Sequence, residues 1–410
     1  MFGGLKREFS HSRCAFYLHE VDDIDSADRV LLLTATDFLL VNPNTGAAPI
    51  FRSQRDADIA SRVYLTNPVL VRRGELNPAT NQRVERAAWP VQYSTMFHMT
   101  NDSALFLKRV ELEKQGFKPV GLNRWHFGVI DALPLYEGKM VQMLDHRAAD
   151  VFVNSKNLKR GAQPSEIPSD QKADFFRSPI PQFWVRQADV SSRMDRSWVI
   201  SFKSVTSPTN ARTMIAAVLP ACGVAHSMSL LSVAEPSGNE ALVLLLANFC
   251  SFAFDWQARQ KVQGQNLSWY ILEQLPVIAP ERFETQIGGV KIADFIREQV
   301  LHLSYTAHDL AAFARDLGHV NADGSVKPPF VWNEEDRRAR MATLDGLFMH
   351  LYGLNEDDAA YILDTFPIVR EQDMAAFGCY RTKEDVLVQL SHIKSGKLRV
   401  KRNPPAVANL

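Results

Sequence analysis

The sequence has little cysteine and no excess of charge of either sign. Its four cysteines, Cys14, Cys222, Cys250 and Cys379, are far apart in the 410 residues and form no C-x-x-C pair. This spacing argues against a zinc site or a disulfide framework and favours a reducing compartment such as the cytoplasm. Because 46 Lys and Arg balance 46 Asp and Glu, a uniformly basic coat is excluded. Any contact with nucleic acid must then come from local clusters of positive charge.

Long hydrophobic runs are missing as well. The most apolar stretch runs from Ala241 to Phe254, and Asn248 interrupts it. It is shorter than the roughly 20 residues that a membrane helix needs, so it predicts a buried helix. Residues 1–9 carry charge but no apolar segment, and we expect no secretion signal there. These features predict a cytoplasmic protein without a membrane partner.

Motifs of catalysis are scarce. None of the 20 glycines forms a G-x-G pair, the turn that lets a backbone approach a nucleotide cofactor. Asp131 with Glu137 and Lys139 imitates the D…E-x-K arrangement of magnesium-dependent nucleases, which stays open as an alternative. His146, between Asp145 and Arg147, has no accompanying nucleophile motif. A structural cluster or a contact with the DNA backbone is the better interpretation of that triplet, and we predict neither a catalytic nor a metal-binding residue.

Hydrophobic patterning predicts an α+β fold: a mixed, β-rich domain followed by a helical carboxy-terminal region. Residues 31–40 are strand-like, and the alternation in residues 198–203 is typical of a half-buried strand. Residues 292–317 predict one helix, and Asn333 and Asn355 are candidate caps of two more. An apolar stripe with helical spacing predicts one core helix; its members are Leu242, Leu245, Phe249, Phe252 and Trp256. We predict three parts: a connecting region (1–134), a recognition domain (135–280) and a helical region (281–410).

Several strings, taken together and in order, resemble one family. They cover nearly the whole chain from about residue 30 to about residue 385, and they are NPNT at 42–45, PIFR at 49–52, MFHMTNDS at 96–103, PLYEGKM at 134–140, DHR at 145–147, RTMIAAVLP at 212–220, FDWQARQKV at 254–262, QLPV at 274–277, LYGL at 351–354 and YILDTFP at 361–367. The ordered set resembles the carboxy-terminal half of large adenine-specific DNA methyltransferases, such as type IIG restriction-modification enzymes and DISARM-like defence methylases.

The resemblance implies a catalytic domain that this chain lacks. In those enzymes an amino-terminal Rossmann-like domain holds S-adenosylmethionine and an Asn-Pro-Pro-Tyr loop, whose acceptor takes the amino protons of a flipped adenine. Residues 403–406 (NPPA) lack the aromatic, and residues 327–330 (KPPF) lack the acceptor. We therefore expect no cofactor in this chain. Its implied role is target recognition on double-stranded DNA, with a methyltransferase catalytic domain or subunit as partner.

Polar loops of the recognition domain supply the candidate DNA contacts. Lys and Arg would grip phosphates, and Thr, Asn and Gln would contact base edges. A solvated protein face is the competing interpretation for every cluster. The candidates are Lys203, Thr206, Asn210 and Arg212 in one loop; Arg259, Lys261, Gln263, Gln265 and Asn266 in a second; Lys139, His146 and Arg147 upstream; and a basic cluster of Lys156, Lys159 and Arg160.

Two further classes of protein compete with this interpretation. A stand-alone specificity subunit like those of type I restriction systems has a similar polar loop and short helix, as in residues 266–280. It would carry two similar recognition domains, and the sequence indicates one. A structural scaffold without affinity for DNA is the other, and a salt-dependent binding assay separates it from both DNA-binding alternatives.

Overall fold

The computed structural model describes residues 10–400, except 17, 19, 26–29, 78–79, 81, 155–160 and 234–238. The fold is α+β, which confirms the predicted class, with 40% helix and 22% strand. Strands predominate before residue 239 and helices after it.

The strands, in chain order, are β1 (Ser12–Ala15), β2 (Val30–Leu33), β3 (Val71–Asn77), β4 (Gln82–Ala87), β5 (Val91–Ser94), β6 (Lys118–Gly121), β7 (Arg124–Phe127), β8 (Ile130–Tyr136), β9 (Ala149–Val153), β10 (Ala162–Glu166), β11 (Trp184–Arg186), β12 (Trp198–Lys203), β13 (Ala216–Pro220), β14 (Gly223–Val224), β15 (Met228–Val233), β16 (Gln286–Ile287) and β17 (Val290–Lys291).

The α-helices are α1 (Ala35–Val41), α2 (Gln54–Thr66), α3 (Arg109–Lys114), α4 (Gln187–Ser191), α5 (Asn239–Phe249), α6 (Phe252–Lys261), α7 (Trp269–Leu272), α8 (Ile292–Ser304), α9 (Ala311–Asp316), α10 (Glu334–Leu351), α11 (Glu356–Asp364), α12 (Pro367–Phe377) and α13 (Arg381–Lys394).

Two larger sheets form the β part. One is antiparallel with the order β13-β12-β15-β5, and the other has the order β11-β8-β7-β6 with β14 parallel to β8. The alternation along β12 predicted one solvated face, and that prediction is wrong. Ile200 and Phe202 pack into one hydrophobic core, whereas Val199 packs into another on the opposite face. The predicted boundary after residue 134 falls inside β8.

The largest core draws residues from all three predicted parts. It runs in sequence from Leu31 to Leu398 and includes residues of α2, α5, α6, α8, α10 and α13. A second core lies between the two larger sheets, and a small third one surrounds Trp125 and Trp184. Gly346 lets α10 approach α13 closely, because a Cβ at this position would lie 2.9 Å from the backbone nitrogen of Leu390.

Two predicted elements end earlier than the hydrophobic pattern. The strand predicted for 31–40 stops at Leu33, because Thr34 and Asp37 form a capping box that starts α1. The helix predicted for 292–317 breaks after Ser304, and a separate α9 follows. The predicted caps Asn333 and Asn355 are confirmed, since their side chains accept from the backbone nitrogens three residues later.

The apolar stripe is core, as predicted, but it is not one helix. All five of its members are buried. The helix ends at Phe249, and α6 begins at Phe252 after a bend of 65°. Ser251 Oγ accepts a hydrogen bond from the backbone nitrogen of Phe254 at 3.2 Å and so caps the second helix. No single helix among the described residues has the length and apolar character to cross a membrane; α5 and α6 meet those criteria only as a pair across the bend.

Candidate nucleic-acid interface

The fold brings the two predicted recognition loops together. The backbone nitrogen of Thr206 donates to the carbonyl of Gln265 at 3.0 Å, and that of Leu267 donates to the carbonyl of Ser204 at 2.8 Å. These bonds join the segment after β12 to the segment between α6 and α7. We call residues 204–210 and 263–266 the paired-loop surface. Their adjacency is what a single recognition surface requires.

A buried carboxylate anchors the first loop. Asp255 on α6 is fully buried and accepts from Arg212 Nε at 2.7 Å, from the backbone nitrogen of Thr213 at 2.9 Å and from that of Met214 at 2.8 Å. Thr206 Oγ1 in turn donates to the carbonyl of Thr213 at 2.7 Å. Residues 212–214 are therefore held to α6 by charge-assisted hydrogen bonds, which are stronger than neutral ones, and Thr206 is held to Thr213 by a neutral one.

Arg212 and Arg259 hold the loops together, instead of extending from them. Arg212 is buried, and its guanidinium lies 3.9 Å from the ring centroid of Phe252. Arg259 donates to the carbonyls of Asn210 and Ala211, and its guanidinium lies 4.0 Å from the ring centroid of Phe366. Because the partners of both guanidinium groups lie within the protein, neither side chain is free to bind a phosphate in this conformation.

Lys261 likewise points into the protein. Its Nζ donates to the carbonyl of Val41 and, at 2.7 Å, to Asn42 Oδ1, and it lies 5.2 Å from the ring centroid of Tyr64. Burial lowers the pKa of the Lys261 ammonium to about 7. The side chain lines a cavity of about 130 Å³ that also contacts Tyr270. The predicted grip on DNA phosphates does not fit this position.

Four amide side chains of the paired-loop surface face solvent. Asn210, Gln263, Gln265 and Asn266 are exposed. A primary amide presents a donor and an acceptor side by side and can pair bidentately with the N6 and N7 edge of adenine. Thr206, in contrast, is buried and holds the loop from below. The exposed members of the predicted set on these loops are thus amides. Three other members, Thr206, Arg212 and Arg259, hold the loops in place, and together with Asp255 we call them the frame.

An aromatic pair adjoins this surface. Ser204 Oγ lies 2.5 Å from Ser229 Oγ, which donates to the hydroxyl of Tyr93 at 3.2 Å. The Tyr93 ring stacks on Trp269 with ring centroids 5.2 Å apart. This chain of contacts connects the edge of the paired-loop surface to β5 and α7.

Two predicted contacts lie in the interior. Arg147 is fully buried and donates to four backbone carbonyls, those of Lys172, Asp174, Arg177 and Thr306. His146 is also buried, and its Nε2 lies 2.9 Å from Asp309 Oδ1. Neither can reach DNA here. The structural interpretation of the Asp-His-Arg triplet therefore fits better than the backbone-contact one.

The nuclease motif is not assembled. Asp131 lies near the start of β8 and Glu137 just beyond its end, so the extended strand between them separates them by about 20 Å. Asp131 Oδ1 lies 2.7 Å from His126 Nδ1, and Glu137 is 3.1 Å from the half-buried Lys139. Within the described part of the chain, no group of three or more His, Cys, Asp or Glu side chains could hold a metal ion.

The remaining candidate residues either pack against other parts of the protein or lie outside the described residues. Lys203 ends β12 half-buried, and burial lowers its pKa to about 8. Phe330 of the KPPF string stacks on His302 with ring centroids 3.6 Å apart, so the ring is not open to a base. The basic cluster at 156, 159 and 160 and the NPPA string lie outside the described residues.

Sequence reasoning missed a pair of arginines at the base of the β3–β4 hairpin. Arg72 is directly opposite Arg86, and both are exposed. The hairpin is attached to the segment directly after α7, because the backbone nitrogens of Leu70 and Val71 donate to the carbonyls of Leu275 and Glu273. The available sequence signal was the set of arginines at 72, 73, 83 and 86 on either side of the dipeptide Asn77-Pro78, which favours a turn.

The sequence matches no family model and no curated protein. The resemblance to adenine-specific DNA methyltransferases therefore stays a prediction.

Proposed function

We propose that this chain is the DNA sequence-recognition part of a site-specific adenine-N6 methyltransferase of a cytoplasmic restriction-modification or phage-defence system. Catalysis and S-adenosylmethionine binding belong to another domain or subunit. The observation that carries the proposal is the paired-loop surface. It presents three predicted contact residues, Asn210, Gln265 and Asn266, to solvent from loops that buried hydrogen bonds hold in place.

A rigid frame with exposed amides fits sequence readout better than general affinity. Base choice requires donors and acceptors at fixed positions, since a side chain that moves freely pays entropy for each contact. Affinity for the phosphate backbone requires free cations instead. The cations that flank the paired-loop surface, Arg212 and Arg259, are committed to contacts within the protein. This surface is therefore suited to choosing bases, and the grip on phosphates must come from other residues.

The test begins with selection of preferred duplexes from a random library by the full chain. Binding of the selected duplex and of its single-base variants is then measured by fluorescence anisotropy. We expect Gln265→Ala and Asn266→Ala to reduce discrimination at one base pair by about 1–3 kcal/mol, roughly 5- to 150-fold, because each removes a bidentate contact. Asn210→Ala should act in the same way.

Gln54→Ala is the matched control. Gln54 is an exposed amide on α2 that lies outside the paired-loop surface, so its replacement should leave discrimination unchanged. If the three loop variants discriminate like the parent chain, this surface does not read DNA. If the parent chain shows no salt-dependent affinity for any duplex, the scaffold alternative is correct.

A further inference from the structure

The β3–β4 hairpin is balanced in charge on one face. Arg73 is directly opposite Glu85, and its Nε lies 3.9 Å from Glu85 Oε1. The same guanidinium lies 2.7 Å from Glu273 Oε2, whose side chain is 1% exposed. The ion pair between Arg73 and Glu273 therefore holds this face of the hairpin against the rest of the protein.

The other face carries two like charges. Arg72 is paired in register with Arg86, so their side chains leave the hairpin on the same side. Neither forms an ion pair with any side chain that the structure describes. Like charges directly opposite each other on an antiparallel pair destabilise it. A local arrangement that costs stability is expected at functional sites, where a ligand compensates for it.

Both arginines line a groove of about 530 Å³. Its volume falls within the range of small-molecule sites in proteins, roughly 300–1,000 Å³. The rest of the groove wall is mostly apolar and includes Leu39, Leu40, Pro43, Tyr64, Pro68 and Val69. A ligand that fits both features has an anionic group and a flat or apolar body.

We propose that Arg72 and Arg86 bind a phosphate of a DNA strand, and that the attached nucleotide lies against the apolar wall of the groove. A guanidinium group matches the geometry of phosphate and binds it with two parallel hydrogen bonds. The phosphate charge also removes the repulsion between the two arginines. DNA as the source of the phosphate rests on the proposed function. The site would supply the grip on phosphates that Arg212 and Arg259, which flank the paired-loop surface, do not supply.

The groove is close enough to the paired-loop surface to serve the same strand. Tyr64 lines the groove and also the cavity that contains Lys261 and Gln263, and Gln263 belongs to the paired-loop surface. The hairpin is joined to residues 273–276, directly after α7. A strand gripped at Arg72 and Arg86 would therefore lead towards the exposed amides.

The test compares the full-length parent with Arg72→Gln, Arg86→Gln and the double variant. Binding to labelled mixed-sequence duplex and single-stranded oligonucleotides is measured by anisotropy across a salt series. We expect the double variant to bind roughly 10- to 100-fold more weakly, as for lost charge-assisted hydrogen bonds. The log–log salt slope should fall by about one unit, because one phosphate contact is lost. Arg109→Gln on α3 removes an exposed arginine outside the groove and should change neither quantity.

Thermal unfolding of the same variants separates binding from folding. The double variant should unfold at the parent temperature or above it, because a repulsion is removed. Unchanged affinity and salt slope in the double variant would overturn the proposal, and so would a loss of affinity matched by a lower unfolding temperature. Binding of a free nucleoside monophosphate through these arginines without binding of either oligonucleotide would overturn the assignment to DNA.

The same assay keeps this proposal apart from the proposed function. If the loop variants lose base discrimination while Arg72 and Arg86 prove neutral, sequence recognition stands and the phosphate site fails. If the double variant alone loses affinity and no base preference exists, the phosphate site stands and sequence recognition fails.

Discussion

Replacing Asp255 with Ala removes the carboxylate that anchors the first recognition loop. Its neighbours are a buried guanidinium at 2.7 Å and two backbone N–H groups at 2.8 and 2.9 Å. Removing one partner of a buried ion pair costs about 3–5 kcal/mol, because the other charge stays buried without compensation. Each backbone donor left unpaired adds a further penalty of about 1–3 kcal/mol, although these costs do not simply add. We expect a loss of at least about 3 kcal/mol in the free energy of unfolding.

Urea denaturation of Asp255→Ala and Asp255→Asn measures this loss and divides it. Asn keeps an acceptor for a backbone N–H group but not the charge, so we expect its loss to be smaller than that of Ala. In the double variant Arg212→Met/Asp255→Leu the uncompensated charge is gone, and its stability should exceed that of Asp255→Ala. A loss below about 1 kcal/mol in Asp255→Ala would refute the assignment of Asp255 as the anchor.

The same substitution links the frame to readout. Asp255→Asn should weaken the hold on residues 212–214 and, through the bond from Thr206 Oγ1 to the Thr213 carbonyl, on the paired-loop surface. Base discrimination should then fall while salt-dependent affinity for unrelated duplexes persists, since Asp255 itself is buried. Full discrimination in a chain with a destabilised frame would show that the loops keep their geometry by other means.

Two further predictions concern the core. Phe249→Ala should lower the free energy of unfolding by about 3–5 kcal/mol in chemical denaturation, because Phe249 is fully buried and its ring centroid lies 4.8 Å from that of Phe254. As a control, replacing the exposed Val388 on α13 with Ala should lower it by less than about 1 kcal/mol. Equal losses in the two variants would contradict the core assignment. Burial raises the pKa of Asp345 to about 7, so the folded state keeps a proton that the unfolded state releases above about pH 4. Stability should therefore fall as pH rises from about 4 to 7, and thermal unfolding of Asp345→Asn should show a weaker dependence across that window; parallel curves for the two proteins would contradict it.

Helix starts were predictable where the signal is local. Asn333 and Asn355 cap helices through bonds to nitrogens three residues away, and no distant residue is needed to recognise them. The break at residues 250–251 was missed because Phe252 and Trp256 continue the apolar spacing of α5 into α6. Hydrophobic periodicity records which side chains are buried, and it is insensitive to a bend that keeps them buried.

The direction of the cations in the recognition loops was not predictable from their local sequence. Arg212 pairs with Asp255, 43 positions away, and Arg259 donates to Thr365, 106 positions away. Lys261 donates to Val41 across 220 positions. Composition indicated two polar loops, but the partners that turn a positive charge inward come from distant parts of the chain. The exposed arginines at 72 and 86 were overlooked for the converse reason, since only strand pairing places them face to face.

The core that joins Leu31 to Leu398 has a consequence for synthesis on the ribosome. Chains are made at about 5–20 residues per second, so roughly 20 to 70 s pass between the appearance of its first and last members. During that interval the apolar faces of α2, α5 and α6 await partners on α10 and α13, and contacts of such sequence separation form slowly. The nascent chain is therefore a natural client for chaperones that shield hydrophobic segments, and a premature stop before α13 would leave an aggregation-prone product.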